Sequence, residues 1–170
     1  PVRFYPRIRL VYTPDEKDEL AFTYNQRTIR PLGAELNELG DYSDATHIWV
    51  GNPDLKDEII HSFELNYALN LPRFRLSPAV YYRIRTNRIS EWADFNNDQT
   101  IWHKSNIGNS QIAGAELTAS YSPFSYLSVA VSGNIYRDQI DGQLIGYGRS
   151  KSMVCGDIKG SVNFHITKDT

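Results

Sequence analysis

A two-residue rhythm governs most of this chain. Along Leu127, Val129, Val131, Gly133 and Ile135 every second residue is apolar or small, and Ser128, Ala130, Ser132 and Asn134 between them are small or polar. In an extended chain successive side chains point to opposite faces, so this spacing predicts a strand with one greasy face and one wet face. Because the same code returns segment after segment, it restricts the chain to a large antiparallel sheet rather than an enzyme built around a cleft.

Seven strands are predicted. They run from Phe4 to Tyr12, about Glu19 to Ile29, about Glu58 to Leu71, Phe74 to Ser90, somewhere within Ile101 to Tyr121, Tyr126 to Ile140, and Lys151 to Ile166. Pro78 weighs against a regular central strand and is tolerable at a bulge. Asn106 to Asn109 reads as a second irregularity. Thr13 to Asp18, Pro72 with Arg73, and Ser122 to Phe124 are short turns. The connections near residues 43, 96 and 145 are longer, and Asp141 to Ser150 reads as a loop because it holds three glycines. Short and long ends alternate, as they do in an up-and-down meander trimmed at one end and elaborated at the other. The longest connection, about Arg30 to Lys56, contains Ala34 to Leu39 as a short helical turn. A loop of that length usually has a task of its own.

The totals exclude several classes. A net charge of -2 offers no general attraction for nucleic acid, and none is expected as a partner. The single Cys155 rules out an intrachain disulfide and a cysteine zinc cluster. No segment approaches the roughly 18 consecutive apolar residues of a membrane helix, which says nothing against strands that hide their apolarity at alternate positions. The 11 Tyr, 7 Phe and 3 Trp suit strands and water–lipid boundaries. The chain starts at Pro1 without an initiator Met, so it reads as a piece of a longer protein.

Two packings satisfy the alternation. A soluble sandwich or barrel, able to bind a small apolar ligand as lipocalins do, turns the apolar parity inward. A membrane barrel turns it toward lipid. The other parity carries Arg9, Arg27, Glu64, Arg83, Arg85, Glu116, Asp157 and Lys159, at home on a solvent face or in a wet lumen. Strand length favours the membrane. Several candidates exceed the roughly 5–6 residues of an average strand and reach the roughly 9–11 that cross a bilayer.

Particular words then stand out. Gly51-Asn52-Pro53-Asp54-Leu55-Lys56-Asp57-Glu58, followed by Ser62 to Tyr67, resembles the "GNP-x-L-K-P-E … E" signature of TonB-dependent outer-membrane receptors, closest to the outer-membrane β-barrel group common in Bacteroidetes. Tyr24 to Pro31, Leu36-Asn37 and Asp41 to Asp44 continue the likeness. Asn106-Ile107-Gly108, Gly114 to Leu117 and Tyr121-Ser122-Pro123 are similar to that family's "N-x-G … G-V-E-L … Y-x-P" strand and turn. Asp57 departs from the pattern, standing where the family has Pro. The resemblance covers about Phe4 to Phe164. It implies an all-β fold, an antiparallel meander of about seven strands forming part of a transmembrane β-barrel in the Gram-negative outer membrane. It further implies uptake of a scarce ligand (a glycan, siderophore or other chelate) driven through the TonB system. Residues 1–170 are then a single barrel segment without plug domain or signal peptide. Thr167 to Thr170 form one more periplasmic turn. Outer-membrane lipid, the rest of the barrel, the plug and the TonB system are the expected partners, and the isolated segment is expected to self-associate.

Catalytic chemistry finds little support. His47, His61, His103 and His165 lack a metal-ligand spacing. Glu64 and Glu116 read as wall residues paired with Arg83 or Arg85 rather than as an acid–base pair. The lumen wall is therefore assigned to Arg27, Glu64, Arg83, Arg85 and Glu116. No catalytic residue, metal or cofactor is expected. Ligand binding falls to Tyr42, His47 and Trp49 of the long loop, where aromatic rings can stack on a ligand; the alternative is that Ile48 and Trp49 merely anchor the loop or mark the bilayer boundary. Trp92 and Trp102 read as an aromatic girdle at strand ends.

Overall fold

The computed structural model describes residues 4–42, 44, 46–96, 98–144 and 147–165, and the side chains of all these except 142–144 and 147–149. The turn expected at Thr167 to Thr170 lies outside the described residues. Ten strands are present among the described residues: β1 (Arg7–Tyr12), β2 (Asp18–Ile29), β3 (His47–Val50), β4 (Glu58–Asn70), β5 (Phe74–Thr86), β6 (Ile89–Asn96), β7 (Gln99–Asn106), β8 (Gly108–Phe124), β9 (Leu127–Leu144) and β10 (Tyr147–Phe164). Seven of them form one sheet in the order β1-β2-β4-β5-β8-β9-β10, every pairing antiparallel. This is the expected seven-stranded meander, opened between β1 and β10. The other three, in the order β3-β7-β6, form a small separate sheet.

Register makes the two faces explicit. One row reads Leu10, Phe22, Leu65, Val80, Ala115, Ile135 and Gly156 across the sheet. A neighbouring row on the opposite face reads Arg9, Thr23, Glu64, Tyr81, Gly114, Tyr136 and Cys155. Burial inverts the order of a soluble protein. On the apolar face Leu10 is 63% exposed, Ile135 59% and Ile158 84%. The buried residues of this sheet, among those described, are Ala21, Glu58, Ile60, Ser62, Tyr81 and Ser110, all on the polar face. An inward apolar core, which the lipocalin-like packing requires, is therefore absent from the described sheet.

Local irregularities have chemical causes. Between β4 and β5 the ladder runs to Asn66↔Ala79, skips two pairs, and resumes at Leu69↔Leu76. Pro78 sits in that gap, since it has no N–H to contribute. The β8–β9 ladder shifts between Tyr121 and Phe124, around Pro123. The Tyr81 ring lies over Gly114, where an added Cβ would stand 2.5 Å from Cζ. Its hydroxyl donates to Asn134 Oδ1 at 3.1 Å, so an aromatic ring covers the gap left by a strand glycine.

The connections differ from expectation at two places. Phe74 to Ser90 is not one strand: β5 stops at Thr86, Asn87 turns the chain with φ 54, and a β6–β7 hairpin follows before β8. Asn tolerates that left-handed conformation better than most residues. Asp141 to Ser150 is not a long loop either, because β9 runs to Leu144 and β10 begins at Tyr147. The remaining long connections, residues 30–57 and the β6–β7 hairpin, emerge at one end of the sheet, and the turns at 13–17, 71–73 and 125–126 lie at the other.

Candidate functional site

The loop end is built where the two elaborated connections meet. A 3-10 helix, Gly33–Leu36, opens the first of them. From its far end β3 pairs in parallel with β7, placing Ile48 beside Ile101 and Trp49 beside Trp102. Ile48 is buried, so its side chain anchors the four-residue strand.

The signature-like residues hold the two connections together. Gly51 runs so close to the 3-10 helix end that an added Cβ would lie 2.2 Å from the Asn37 carbonyl oxygen. Asn52 N–H donates to the Glu35 carbonyl (2.7 Å), and Asn52 Nδ2 to the Lys104 carbonyl (3.0 Å). Asn106 does the same from the other side: its Oδ1 accepts from Lys56 N–H (2.8 Å), and its Nδ2 donates to the carbonyls of Lys56 (3.0 Å) and Asn87 (2.7 Å). Glu58, buried at the top of β4, pairs with Arg85 Nε at 3.1 Å and accepts from Ile89 N–H at 3.1 Å. One carboxylate thus ties β4, β5 and the root of the β6–β7 hairpin.

Between the connections lies a cavity of about 500 Å³ whose lining includes Glu35, Asn37, Asp41, Trp49, Trp102 and Lys104. The Trp49 and Trp102 rings stack, centroids 5.4 Å apart and 15° from parallel. Lys104 Nζ bonds Glu35 Oε1, and Glu35 Oε2 accepts from Leu32 N–H at 2.8 Å. The Lys104 ammonium, then the Leu32 amide, hold the Glu35 carboxyl below its ordinary range. Indole surface, a carboxylate–ammonium pair and amide groups together suit stacking plus hydrogen bonding to a compact ligand.

Of the loop residues singled out in the sequence, Trp49 enters this cavity. His47 lies on the same face of the small sheet, two residues away, with Nδ1 3.1 Å from Asp44 Oδ2 and 2.9 Å from Thr46 Oγ1. Tyr42 is exposed outside the lining, against Gly40. Glu35, Trp102 and Lys104 complete the cavity and were not expected there. Trp92 and Trp102 are not a girdle of the main sheet; they belong to the hairpin, Trp102 against Trp49 and Trp92 stacked on His103 at 4.5 Å. Arg27, Glu64, Arg83, Arg85 and Glu116 share the polar face of the main sheet. Their pairing differs from expectation. Arg85 binds Glu58, Arg83 lies 4.7 Å over the Tyr81 ring, and Glu64 accepts from Asn66 Nδ2 at 2.7 Å.

A wide antiparallel meander whose apolar face is exposed, and whose buried residues all lie on the other face, defines a section of a transmembrane β-barrel wall. The chain belongs to the outer membrane protein beta-barrel family, which it matches over residues 2–170, and its place is the outer membrane of a Gram-negative cell. No curated protein matches it. Among solved structures it resembles the siderophore receptor PirA from Pseudomonas aeruginosa, at 15% identity and TM-score 0.65, covering 93% of this chain and 31% of that one. It also resembles the copper transporter OprC (11%, TM-score 0.60, 96% and 32%) and the FrpB iron transporter from Neisseria meningitidis (12%, TM-score 0.56, 89% and 26%). The chain thus spans under a third of the length of each of these proteins.

Proposed function

We propose that residues 1–170 are one segment of the barrel wall of a TonB-dependent outer-membrane transporter that takes up a scarce ligand, a glycan, siderophore or other chelate. The observation that carries this reading is the inverted sheet: its greasy face is exposed and its charged face turned away, with two interlocked loops at one end. Trp49, with His47 and Tyr42 nearby, receives the ligand in the loop cavity. Arg27, Glu64, Arg83, Arg85 and Glu116 line the lumen and meet a plug domain supplied by the rest of the protein. The segment itself has no catalytic role. Support comes from the barrel family and from the likeness to a siderophore receptor, an iron transporter and a copper transporter.

The test is uptake by cells carrying the full-length protein, supplied with ferric siderophores, copper or glycans, with and without a functional TonB. Energy-dependent uptake of one ligand class that falls in Trp49→Ala supports the reading; uptake of none, or equal uptake without TonB, sinks it. The isolated 170-residue chain has two unpaired edges, β1 and β10, and an exposed apolar face. It should sediment as an oligomer or with bound detergent; a detergent-free monomer would count against a wall segment.

A further inference from the structure

The apolar face is not uniformly filled. On β8, β9 and β10 the register places Ala115 beside Ile135 and Gly156, and in the next row Leu117 beside Gly133 and Ile158. The missing side chains at Ala115, Gly133 and Gly156 leave a groove of about 900 Å³, walled by Val80, Leu117, Val131, Ile135 and Ile158. Its outline comes from side-chain sizes alone, because the ladder continues unbroken through these rows.

At the loop end of this groove the chemistry changes within one row. Arg137 follows Ile135 on the same face, flanked by Ala113 and Val154. It is exposed, and its Nη2 donates to Ser152 Oγ at 3.4 Å. Among the described residues no ion pair neutralises it. Asp141, the nearest carboxylate on this face of β9, stands four residues further out, about 13 Å along the strand. Asp138 points to the opposite face. The next row adds Gln111, Gln139 and Ser152, with Tyr82 donating to Gln111 Oε1 at 2.7 Å. A cation with one weak hydroxyl partner therefore sits where the apolar band ends, above the apolar groove. In outer-membrane barrels the longer loops are extracellular, which sets this rim at the outer leaflet.

We propose that this groove holds an acyl chain of an anionic membrane lipid whose phosphate pairs with Arg137. The inference rests on the membrane reading of the apolar face. A guanidinium meets a phosphate with two parallel hydrogen bonds, and the adjoining amides and hydroxyl supply further donors. The groove is continuous with the lipid-facing rows, which favours a lipid over a protein partner. The cation at its rim favours an anionic headgroup over a zwitterionic one.

The full-length protein in detergent micelles can be titrated with phosphatidylglycerol or with phosphatidylcholine of the same acyl chains, counting bound lipids by native mass spectrometry. The wild type should hold one phosphatidylglycerol at least about fivefold more tightly than phosphatidylcholine, as one basic residue at a membrane surface warrants. Arg137→Gln should abolish that preference, and Arg137→Lys should keep part of it. Gly133→Leu should weaken both lipids. A Cβ there meets only ordinary contacts, at 3.6 Å, so the first carbon of the new side chain finds room. Equal affinity of the wild type for the two lipids, or an unchanged preference in Arg137→Gln, overturns the proposal. So does a delipidated dimer that Gly133→Leu dissociates, which would assign the groove to a second copy. A protein that enters no micelle at all overturns the membrane reading itself.

Discussion

At the scale of single residues, the loop end depends on a glycine and a carboxylate. Gly51 matters through space: the Asn37 oxygen at 2.2 Å and nitrogen at 2.8 Å from an added Cβ are backbone atoms that cannot rotate away. Gly51→Ala must push β3 off the 3-10 helix and break the Asn52–Glu35 backbone bond. Amide exchange across residues 37–50 should accelerate by an amount matching about 1–3 kcal/mol, with β8 and β9 unchanged; unaltered exchange would show that the contact does not matter. Glu35 matters through charge. Its bond to Lys104 lowers its pKa below the ordinary 4.5. Asp44, exposed beside the loop, is lowered to about 2, chiefly by the Thr46 hydroxyl and then the Thr46 amide. A depressed carboxylate contributes stability above its unfolded pKa and loses it as pH falls through the folded value. Indole fluorescence from the Trp49–Trp102 pair should therefore shift on acidification from about pH 5 downward, and Glu35→Gln should remove most of that shift. A flat signal in the wild type would contradict the assignment.

At the scale of elements, what the sequence disclosed depended on how far each strand's partners lie along the chain. The seven strands of the main sheet pair with neighbours in the meander and keep an apolar parity, so alternation and turn residues marked them, with β5 overrun to Ser90 and β8 only bracketed within Ile101 to Tyr121, a range that takes in most of β7. β3 is four residues long and pairs in parallel with β7, some fifty residues away. Nothing in His47 to Val50 by itself announces that partner. The β6–β7 hairpin was concealed because Phe74 to Ser90 keeps its alternation through Arg85, and the break rests on the conformation of Asn87. The glycines of Asp141 to Ser150 suggested a loop, whereas the ladder tolerates them up to Leu144 and again from Tyr147. In the cavity, Trp49 was legible as an aromatic loop residue. Trp102, Lys104 and Glu35 were not, because the cross-loop pairing that gathers them is invisible in composition. The weakest joint of this unit is β3, whose one buried side chain is Ile48. Ile48→Ala should cost about 2–5 kcal/mol, more than so short a strand can withstand. Protease cleavage within residues 37–50 should appear in that variant while β4 and β5 stay intact. An unchanged digest would mean that β7 pairing and the Trp stack suffice without it.

At the scale of the whole molecule, the decisive property is that two faces of one sheet meet different solvents. Ala119 pairs with Val131 and Thr118 with Ser132, so Thr118 and Val131 sit at nearly the same depth on opposite faces. Val131 lies midway along the apolar run from Leu127 to Ile135, in the middle of the lipid band. Thr118 faces Ser77 and Ser132, with Glu116 two residues away on its own face. A cation introduced at the two sites therefore has opposite surroundings. Val131→Arg puts the guanidinium near the bilayer midplane, where lipid-face basic residues cost about 2–4 kcal/mol. Thr118→Arg puts it among hydroxyls and within reach of a carboxylate, where the cost should be within about 0.5 kcal/mol of zero. In the full-length protein the first variant should reach the outer membrane in sharply reduced amount and unfold at lower denaturant, and the second should match the wild type in both. If the two variants behaved alike, the faces would share one environment, and a wall between lipid and water would be the wrong description of this sheet.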